Sequence, residues 1–379
     1  MPEQRSTSSG PYLRVDDLRV RFDTEDGVVR AVDGVSFTVE RGRTLGIVGE
    51  SGSGKSVTSL AILGLHNAKR TTITGEISVG GRQLVGLPEE EVRRLRGRDM
   101  AMIFQDPLSA LHPYYTVGKQ IAEAYRVHHP GAGRREARQR AVDMLGRVGI
   151  PQPARRFDQY PHEFSGGMRQ RAMIAMALVN DPDLVIADEP TTALDVTVQA
   201  QILDLLADLQ AEFRSAIIMI THDLGVVSQV ADDVLVMYGG RAVERGSVEQ
   251  VLRRPQHPYT WGLLSSVPSL HGDADADLVP IRGNPPSLIN LPSGCSFHPR
   301  FRYADRTGAD SRREVEPLGY LGNPVHWYLL AWCRLRGGVR AFRTDRIVSV
   351  HPLSEVVSRE LSLDDLDIPH ERVRPLSLV

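Results

Sequence analysis

An α/β fold is expected, with a parallel core sheet, an antiparallel β-subdomain and a helical subdomain, followed by a mostly-β module. Three features of the chain carry that expectation. The first is Gly49-Glu50-Ser51-Gly52-Ser53-Gly54-Lys55-Ser56, a G-x-x-x-x-G-K-[ST] pattern that directly follows the apolar run Thr44 to Val48 and opens into the helix-like Val57 to Leu63. The second is a pair of unbroken apolar runs, Leu184 to Ala187 and Ala216 to Ile220, of the kind found in strands buried on both faces. The third is alternation: Leu13, Val15, Leu18, Val20 and Phe22 recur at strand spacing.

In chain order, Tyr12 to Phe22 reads as a half-buried strand, and Val35 to Val39 repeats the signal beyond a turn at Gly27. Gly75 to Val79, closed by Gly80-Gly81, continues an antiparallel layer beside the strand that feeds the glycine-rich loop. Phe22 is either a stacking platform for an adenine ring or a core aromatic. From Asp106 to Asn180 the pattern turns helical, with Val117 to Val127 and Arg135 to Val148 carrying apolar residues at helical spacing. Between the two apolar runs, Ile202, Leu205, Leu206 and Leu209 follow the i, i+3, i+4, i+7 rule, so Gln199 to Phe213 is an amphipathic crossover helix of a βαβ unit.

The loop at Gly49 has a chemical reading. Glycines let successive backbone N–H groups turn toward a polyphosphate, and the helix start adds partial positive charge. Gly49, Glu50, Ser51, Gly52, Ser53 and Gly54 would form the cradle, Lys55 would reach the outer phosphates, and the Ser56 hydroxyl would ligate Mg²⁺. Leu184 to Ala187 ends in Asp188 and Glu189, and strand ends are where a doubly wound sheet places its ligand. Asp188 would hold Mg²⁺ through its hydration shell, and Glu189 would act as general base on the attacking water.

Composition bounds the rest. At 379 residues the chain exceeds the ~250–300 at which single cores stop growing, so more than one domain is expected. Hydrophobic residues at 41% and charged residues at 24% suit a soluble globular protein. A net charge of −2 supplies no global field for nucleic acid, which is not expected as a partner. Two cysteines provide no disulfide framework, as in a reducing cytoplasm. The polar opening Met1 to Gly10 lacks an apolar h-region and reads as a flexible leader, not a secretory signal. No apolar run approaches the ~20 residues of a membrane crossing, so a membrane role would be borrowed from a partner.

Glu163-Phe164-Ser165-Gly166-Gly167-Met168-Arg169-Gln170-Arg171, placed just before the Asp188-Glu189 strand, resembles the signature loop of ABC ATPases. The resemblance implies the ABC-type P-loop NTPase fold with its Walker A motif at Gly49 to Ser56. It also implies ATP as substrate, Mg²⁺ as cofactor, and a nucleotide-sandwich dimer in which Ser165, Gly166, Gly167 and Gln170 face the nucleotide of the opposite subunit. Gln105, in Met102-Ile103-Phe104-Gln105-Asp106-Pro107, matches the glutamine loop that senses Mg²⁺ and the attacking water. His222 matches the switch histidine, and Asp195 the loop that communicates across the dimer. Phe22 takes the adenine-stacking position.

Within that family, Glu189-Pro190-Thr191-Thr192-Ala193-Leu194-Asp195, His257-Pro258-Tyr259-Thr260 and Leu291 to Arg300 resemble the ATP-hydrolysing subunits of dipeptide and oligopeptide importers. Such subunits lie peripherally on the cytoplasmic face of the bacterial membrane. They pair with a second, usually different, ATPase chain beneath two permeases, and a substrate-binding protein delivers cargo. Nickel, opine and glutathione systems belong to the same group. The permease groove would lie around Gln105 to Tyr115, where Tyr114 and Tyr115 are contact or packing residues. Many relatives carry an iron–sulfur cluster in the extension. Here Cys295 would be the first ligand, Phe301 stands at the next position, and only Cys333 follows, so the chain is short of ligands and no cluster is expected.

Beyond about Arg300 the sequence resembles the WYL domain of bacterial transcriptional regulators, an Sm-like β-barrel named for the triplet that is Trp327-Tyr328-Leu329 here. Turns are expected at Gly308, Gly322-Asn323 and Gly337-Gly338. Arg302, Arg340, Arg343 and Arg346, with Tyr303 and Trp327, form either a ligand-facing basic patch or a solvated face. The expected organisation is an ABC ATPase domain over 11–254, with its helical subdomain at about 106–180. An importer-type extension over 255–300, the β-module over 301–361 and a tail over 362–379 follow. An alternative function is an ATP-dependent regulator in which the β-module senses a ligand or nucleic acid.

Overall fold

Alternating burial shapes the first two strands, β1 (Leu13–Thr24) and β2 (Gly27–Val39), which pair antiparallel through a turn where Thr24 faces Gly27. Gly27 takes a φ of 127°, a backbone conformation open to glycine, and the Thr24 hydroxyl donates to its carbonyl. Next comes β3 (Thr44–Val48), buried at every position, and the glycine-rich loop turns it into α1 (Lys55–Ile62). The chain returns through β4 (Thr71–Val79) and the short β5 (Arg82–Gln83), then α2 (Glu89–Leu95) and β6 (Met100–Ile103).

A helical stretch follows: α3 (Pro107–Ala110), α4 (Val117–His128), α5 (Arg134–Arg147), α6 (Pro153–Arg156) and α7 (Gly166–Leu178). The core resumes with β7 (Leu184–Asp188), α8 (Val196–Phe213), β8 (Ala216–Ile220), α9 (Leu224–Val230), β9 (Asp233–Tyr238), β10 (Arg241–Ser247), α10 (Val248–Arg253) and α11 (Pro258–Ser265). The computed structural model describes residues 10–192, 194–266, 281, 284–291 and 296–297. In the C-terminal part it describes the strands β11 (Arg302–Tyr303), β12 (Val315–Gly322), β13 (Trp327–Cys333), β14 (Gly338–Arg343), β15 (Ile347–Val348) and β16 (Val373–Pro375).

Two sheets organise the part of the chain before Val279. The antiparallel sheet runs β2-β1-β4-β5, and the other runs β10-β9-β3-β8-β7-β6, parallel from β9 to β6 with β10 antiparallel at its edge. One apolar cluster joins the antiparallel sheet to α1 and one side of the core sheet, with Leu18, Phe37, Leu45, Ile62 and Ile218 buried in it. A second packs the helical stretch and α8 against the other side, around Ile121, Met144, Ile174, Val185 and Ile202. Burial on both faces explains why the core strands read as unbroken apolar runs.

Several expectations gain length. The strand expected at Val35 begins at Gly27, and that expected at Gly75 begins at Thr71, because pairing with β1 continues past the alternating residues. The crossover helix expected at Gln199 begins at Val196, capped by Asp195, whose side chain accepts from the Val198 N–H at 2.9 Å. Strands β6, β9 and β10 are additions. The apolar runs at Met100 and Val234 are too short to separate strand from helix by periodicity, and parallel pairing decides them.

From Pro280 onward the chain forms a second unit, in which β14-β13-β12-β16 make an antiparallel sheet and β11 pairs with β15. The Trp327-Tyr328-Leu329 triplet starts β13, and Leu329, Leu330 and Cys333 are buried. Gly322 ends β12 and Gly338 opens β14, near the expected turns, whereas Gly308 lies outside the described residues. The four-arginine patch requires correction. Arg340 and Arg343 stand three residues apart on one strand, so they project to opposite faces of the sheet. Arg346 lies outside the described residues, as do the side chains of Arg302, Tyr303 and Trp327.

Candidate active site

The loop after β3 has a shape that its glycines impose. Gly49, Gly52 and Gly54 take φ values of 153°, 77° and 104°. A Cβ on Gly49 would stand 2.2 Å from the Met237 carbonyl oxygen, and one on Gly54 would stand 2.5 Å from that of Ala31. The loop thus passes too close to β9 and β2 for side chains at those positions. Lys55, the first residue of α1, is buried and folds back to donate from Nζ to the carbonyls of Gly49 (2.8 Å) and Glu50 (3.0 Å). Burial pushes its ammonium below the ordinary lysine range, while Glu189, Asp188 and Glu50 favour the charge. Ser53 buries its hydroxyl without a hydrogen-bond partner, as expected of a cradle that a polar ligand completes. The Glu50 N–H donates to the Tyr259 hydroxyl at 2.7 Å.

Asp188 ends β7, and its carboxylate shares a hydrogen bond with Ser56. Burial pushes its pKa up and Glu189 adds to the rise, while Ser56 and Lys55 pull the other way. A desolvated carboxylate beside a hydroxyl at a phosphate loop fits Mg²⁺, which characteristically takes one or two carboxylates and completes its shell with water and substrate phosphates. Among the described residues no group of three or more His, Cys, Asp and Glu side chains is arranged so that it could hold a metal ion by itself.

Glu189 is the point of convergence. It has a positive φ of 48°, a strained conformation for a side-chain-bearing residue, and its N–H is held by the Ile220 carbonyl at 2.9 Å. Gln105 Nε2 donates to Glu189 Oε2 at 3.0 Å, and His222 Nδ1 lies 3.3 Å from Oε1. Thr192 adds a hydroxyl to Oε2 at 2.9 Å, a contact that sequence reasoning missed although the threonine stands three residues from Glu189. The three expected catalytic residues therefore meet on one carboxylate, from the ends of β6, β7 and β8.

The remaining expected residues sit elsewhere. Ser165 is the exposed N-cap of α7 and accepts from the Met168 N–H at 3.3 Å. Gly166 is exposed, and a Cβ there would meet nothing within 4 Å. A Cβ on Gly167 would stand 3.0 Å from the Val198 side chain. Gln170, expected beside them on the nucleotide-facing surface, is turned inward. It is 2% exposed and donates to the Pro190 carbonyl, joining α7 to the loop after Glu189. Asp195 is spent on capping α8. Phe22 is half-buried at the rim of the first apolar cluster, its ring perpendicular to His66 with centroids 5.4 Å apart. Cys333 is a buried free thiol, and Cys295 lies outside the described residues.

Comparison with known proteins completes the picture. The profile of the ABC transporter family matches residues 32–192, that of the oligopeptide/dipeptide transporter C-terminal region matches 243–307, and that of the WYL domain matches 299–352. The chain is 54% identical over 292 residues to the oligopeptide transport ATP-binding protein OppD of Salmonella typhimurium, covering 77% of this chain and 86% of that one. To the dipeptide transport ATP-binding protein DppD of Lactococcus lactis it is 52% identical over 316 residues, covering 83% and 89%. Among solved structures, a dimeric ATP-binding cassette in a post-hydrolysis state with ADP and Pi superposes with a TM-score of 0.57 at 26% identity, covering 62% of this chain and 98% of that one. The cbiO1 component of an ABC transporter complex from Clostridium perfringens gives 0.55 at 28%, covering 64% and 91%. With more than half its aligned residues shared across most of both relatives, and the two transporter profiles in consecutive order, the chain belongs to the ATP-hydrolysing subunits of ABC importers of the oligopeptide/dipeptide type.

Proposed function

We propose that the chain clasps ATP between its own Gly49 to Ser56 loop and the Ser165-Gly166-Gly167 turn of a second ATPase subunit. Hydrolysis, with Glu189 as general base, then drives import of dipeptides or oligopeptides through two permeases at the cytoplasmic face of the membrane. The observation that carries this reading is the single carboxylate of Glu189 held by both Gln105 and His222. The curated relatives are named for oligopeptide and dipeptide transport, which supports the cargo class. Among the described residues no helix is long and apolar enough to cross a membrane. Tyr114 and Tyr115, both exposed beside the glutamine loop, suit contact with the permeases.

The chain's own groups divide the work. Lys55 leaves the Gly49 and Glu50 carbonyls for the outer phosphates of ATP. Ser56 and Asp188, with Gln105 nearby, would hold Mg²⁺, whose charge offsets that of the phosphates. Oε2 of Glu189 is engaged by Gln105 and Thr192, which leaves Oε1 to accept the proton of the attacking water. His222, 65% exposed and in reach of Oε1, swings to donate to the γ-phosphate. Ser165 and Gly166 stand uncovered at a helix start, where hydroxyl and N–H donors complete the partner's site.

The test is purification of the Glu189→Gln variant from membranes in the presence of Mg-ATP. The trapped dimer should emerge with two permeases. Recovery of soluble monomer alone would overturn the transport reading.

A further inference from the structure

Tyr259 belongs to none of the nucleotide motifs, yet it reaches the phosphate loop. Its side chain is fully buried, tilted against Tyr238 with ring centroids 4.5 Å apart, and its hydroxyl accepts from the Glu50 N–H at 2.7 Å. Glu50 is consequently gripped at both of its backbone polar groups, since its carbonyl accepts from Lys55 Nζ. The two grips differ in permanence. The lysine ammonium is needed by the phosphates, and once it turns to them the Glu50 carbonyl loses that partner. The tyrosine hydroxyl is not a group that turns to the phosphates, and it keeps its hold on the loop.

The helix bearing Tyr259 is itself pinned. Glu244 on β10 accepts from the N–H groups of Gln256 and His257, the latter at 3.0 Å. His257 Nδ1 accepts from the Tyr259 N–H at 3.1 Å, capping α11, and Trp261 Nε1 donates to the Pro255 carbonyl at 2.8 Å. A run of hydrogen bonds thus leads from the edge strand through the start of α11 to the second residue of the phosphate loop.

We propose that Tyr259 is a positioning residue for nucleotide binding: its hydroxyl holds the Glu50 N–H so that the loop keeps its receptive shape after Lys55 turns to the phosphates. The segment after β10 thereby becomes a determinant of ATP affinity. This rests on the reading of Gly49 to Ser56 as the ATP site. A tyrosine that only filled the core would contribute through its ring, and phenylalanine would replace it fully.

The experiment compares full-length wild type with Tyr259→Phe and Glu244→Gln, measuring Mg-ATP affinity at equilibrium, steady-state KM and kcat, and thermal unfolding. Tyr259→Phe keeps the ring and removes the hydroxyl that accepts from the part-buried Glu50 N–H, so Mg-ATP affinity should fall about tenfold and KM should rise in step. Glu189, Gln105 and His222 are untouched, and kcat should stay within about twofold. Glu244→Gln gives up an acceptor at the start of α11 and should shift KM the same way by several-fold. Wild-type affinity in both variants while they remain folded would overturn the proposal and leave the ATP site standing. Failure of the wild type to bind Mg-ATP would overturn both.

Discussion

Gln105 donates from Nε2 to Glu189 Oε2 across 3.0 Å, joining residues 84 positions apart in the chain. The parallel register of β6 and β7 sets this contact: Ile103 pairs with Ala187, so the second residue past each partner emerges at the same end of the sheet. Neighbouring parallel strands thus deliver an amide and a carboxylate to one place.

Glu189→Gln keeps the side chain's shape and removes its capacity to take a proton. Phosphate release under saturating Mg-ATP should fall by about 10²- to 10⁴-fold, while equilibrium ATP binding is retained. Turnover within a few-fold of wild type would remove Glu189 from the role of base.

Gly54→Ala sets a methyl group against the Ala31 carbonyl in a backbone conformation, φ 104°, that alanine rarely takes. Urea unfolding should show a loss of about 2 kcal/mol or more, and Mg-ATP binding should disappear with the loop's shape. A variant of unchanged stability and affinity would mean that the loop relaxes freely.

Gln170→Ala leaves the buried Pro190 carbonyl without the amide that now serves it. The expected destabilisation is about 1–3 kcal/mol in urea unfolding. Because Gln170 faces its own chain, its loss should be read in stability, and Mg-ATP binding by the isolated, folded subunit should persist.

Burial pushes the His257 imidazole down to about 4, below the ~6.5 of the free side chain. Between those values the unfolded chain takes up a proton that the folded chain refuses. Stability is therefore lost as pH falls from ~6.5 toward ~4, by on the order of 3 kcal/mol, and this residue contributes no pH dependence above that window. His257→Asn retains a capping acceptor for the Tyr259 N–H and does not titrate. Its unfolding free energy, followed in urea at a series of pH values, should decline less steeply than wild type below ~6.5. Parallel profiles would count against a buried neutral histidine.

Much of the site is legible along the chain because its parts are local. A glycine-rich turn between an apolar strand and a helix, or two acids at the end of a buried strand, are shaped by the few residues around them. Thr192 and Tyr259 escape such a reading for different reasons. Thr192 is close in sequence, but its aim depends on the positive φ of Glu189. Tyr259 meets Glu50 from 209 positions away, a distance over which no periodicity carries.

By itself the sequence determined the α/β order, the phosphate loop, the acidic strand end and the serine-glycine-glycine helix start, since each follows from short-range backbone preference and the pattern of buried residues. Tertiary structure alone decided that Gln105 and His222 share one carboxylate, that Gln170 turns inward, that Arg340 and Arg343 part to opposite faces, and that α11 braces the loop. Those outcomes depend on strand register and on side chains arriving from distant segments, and hydrogen bonds a few ångströms long are fixed only once the sheets have packed.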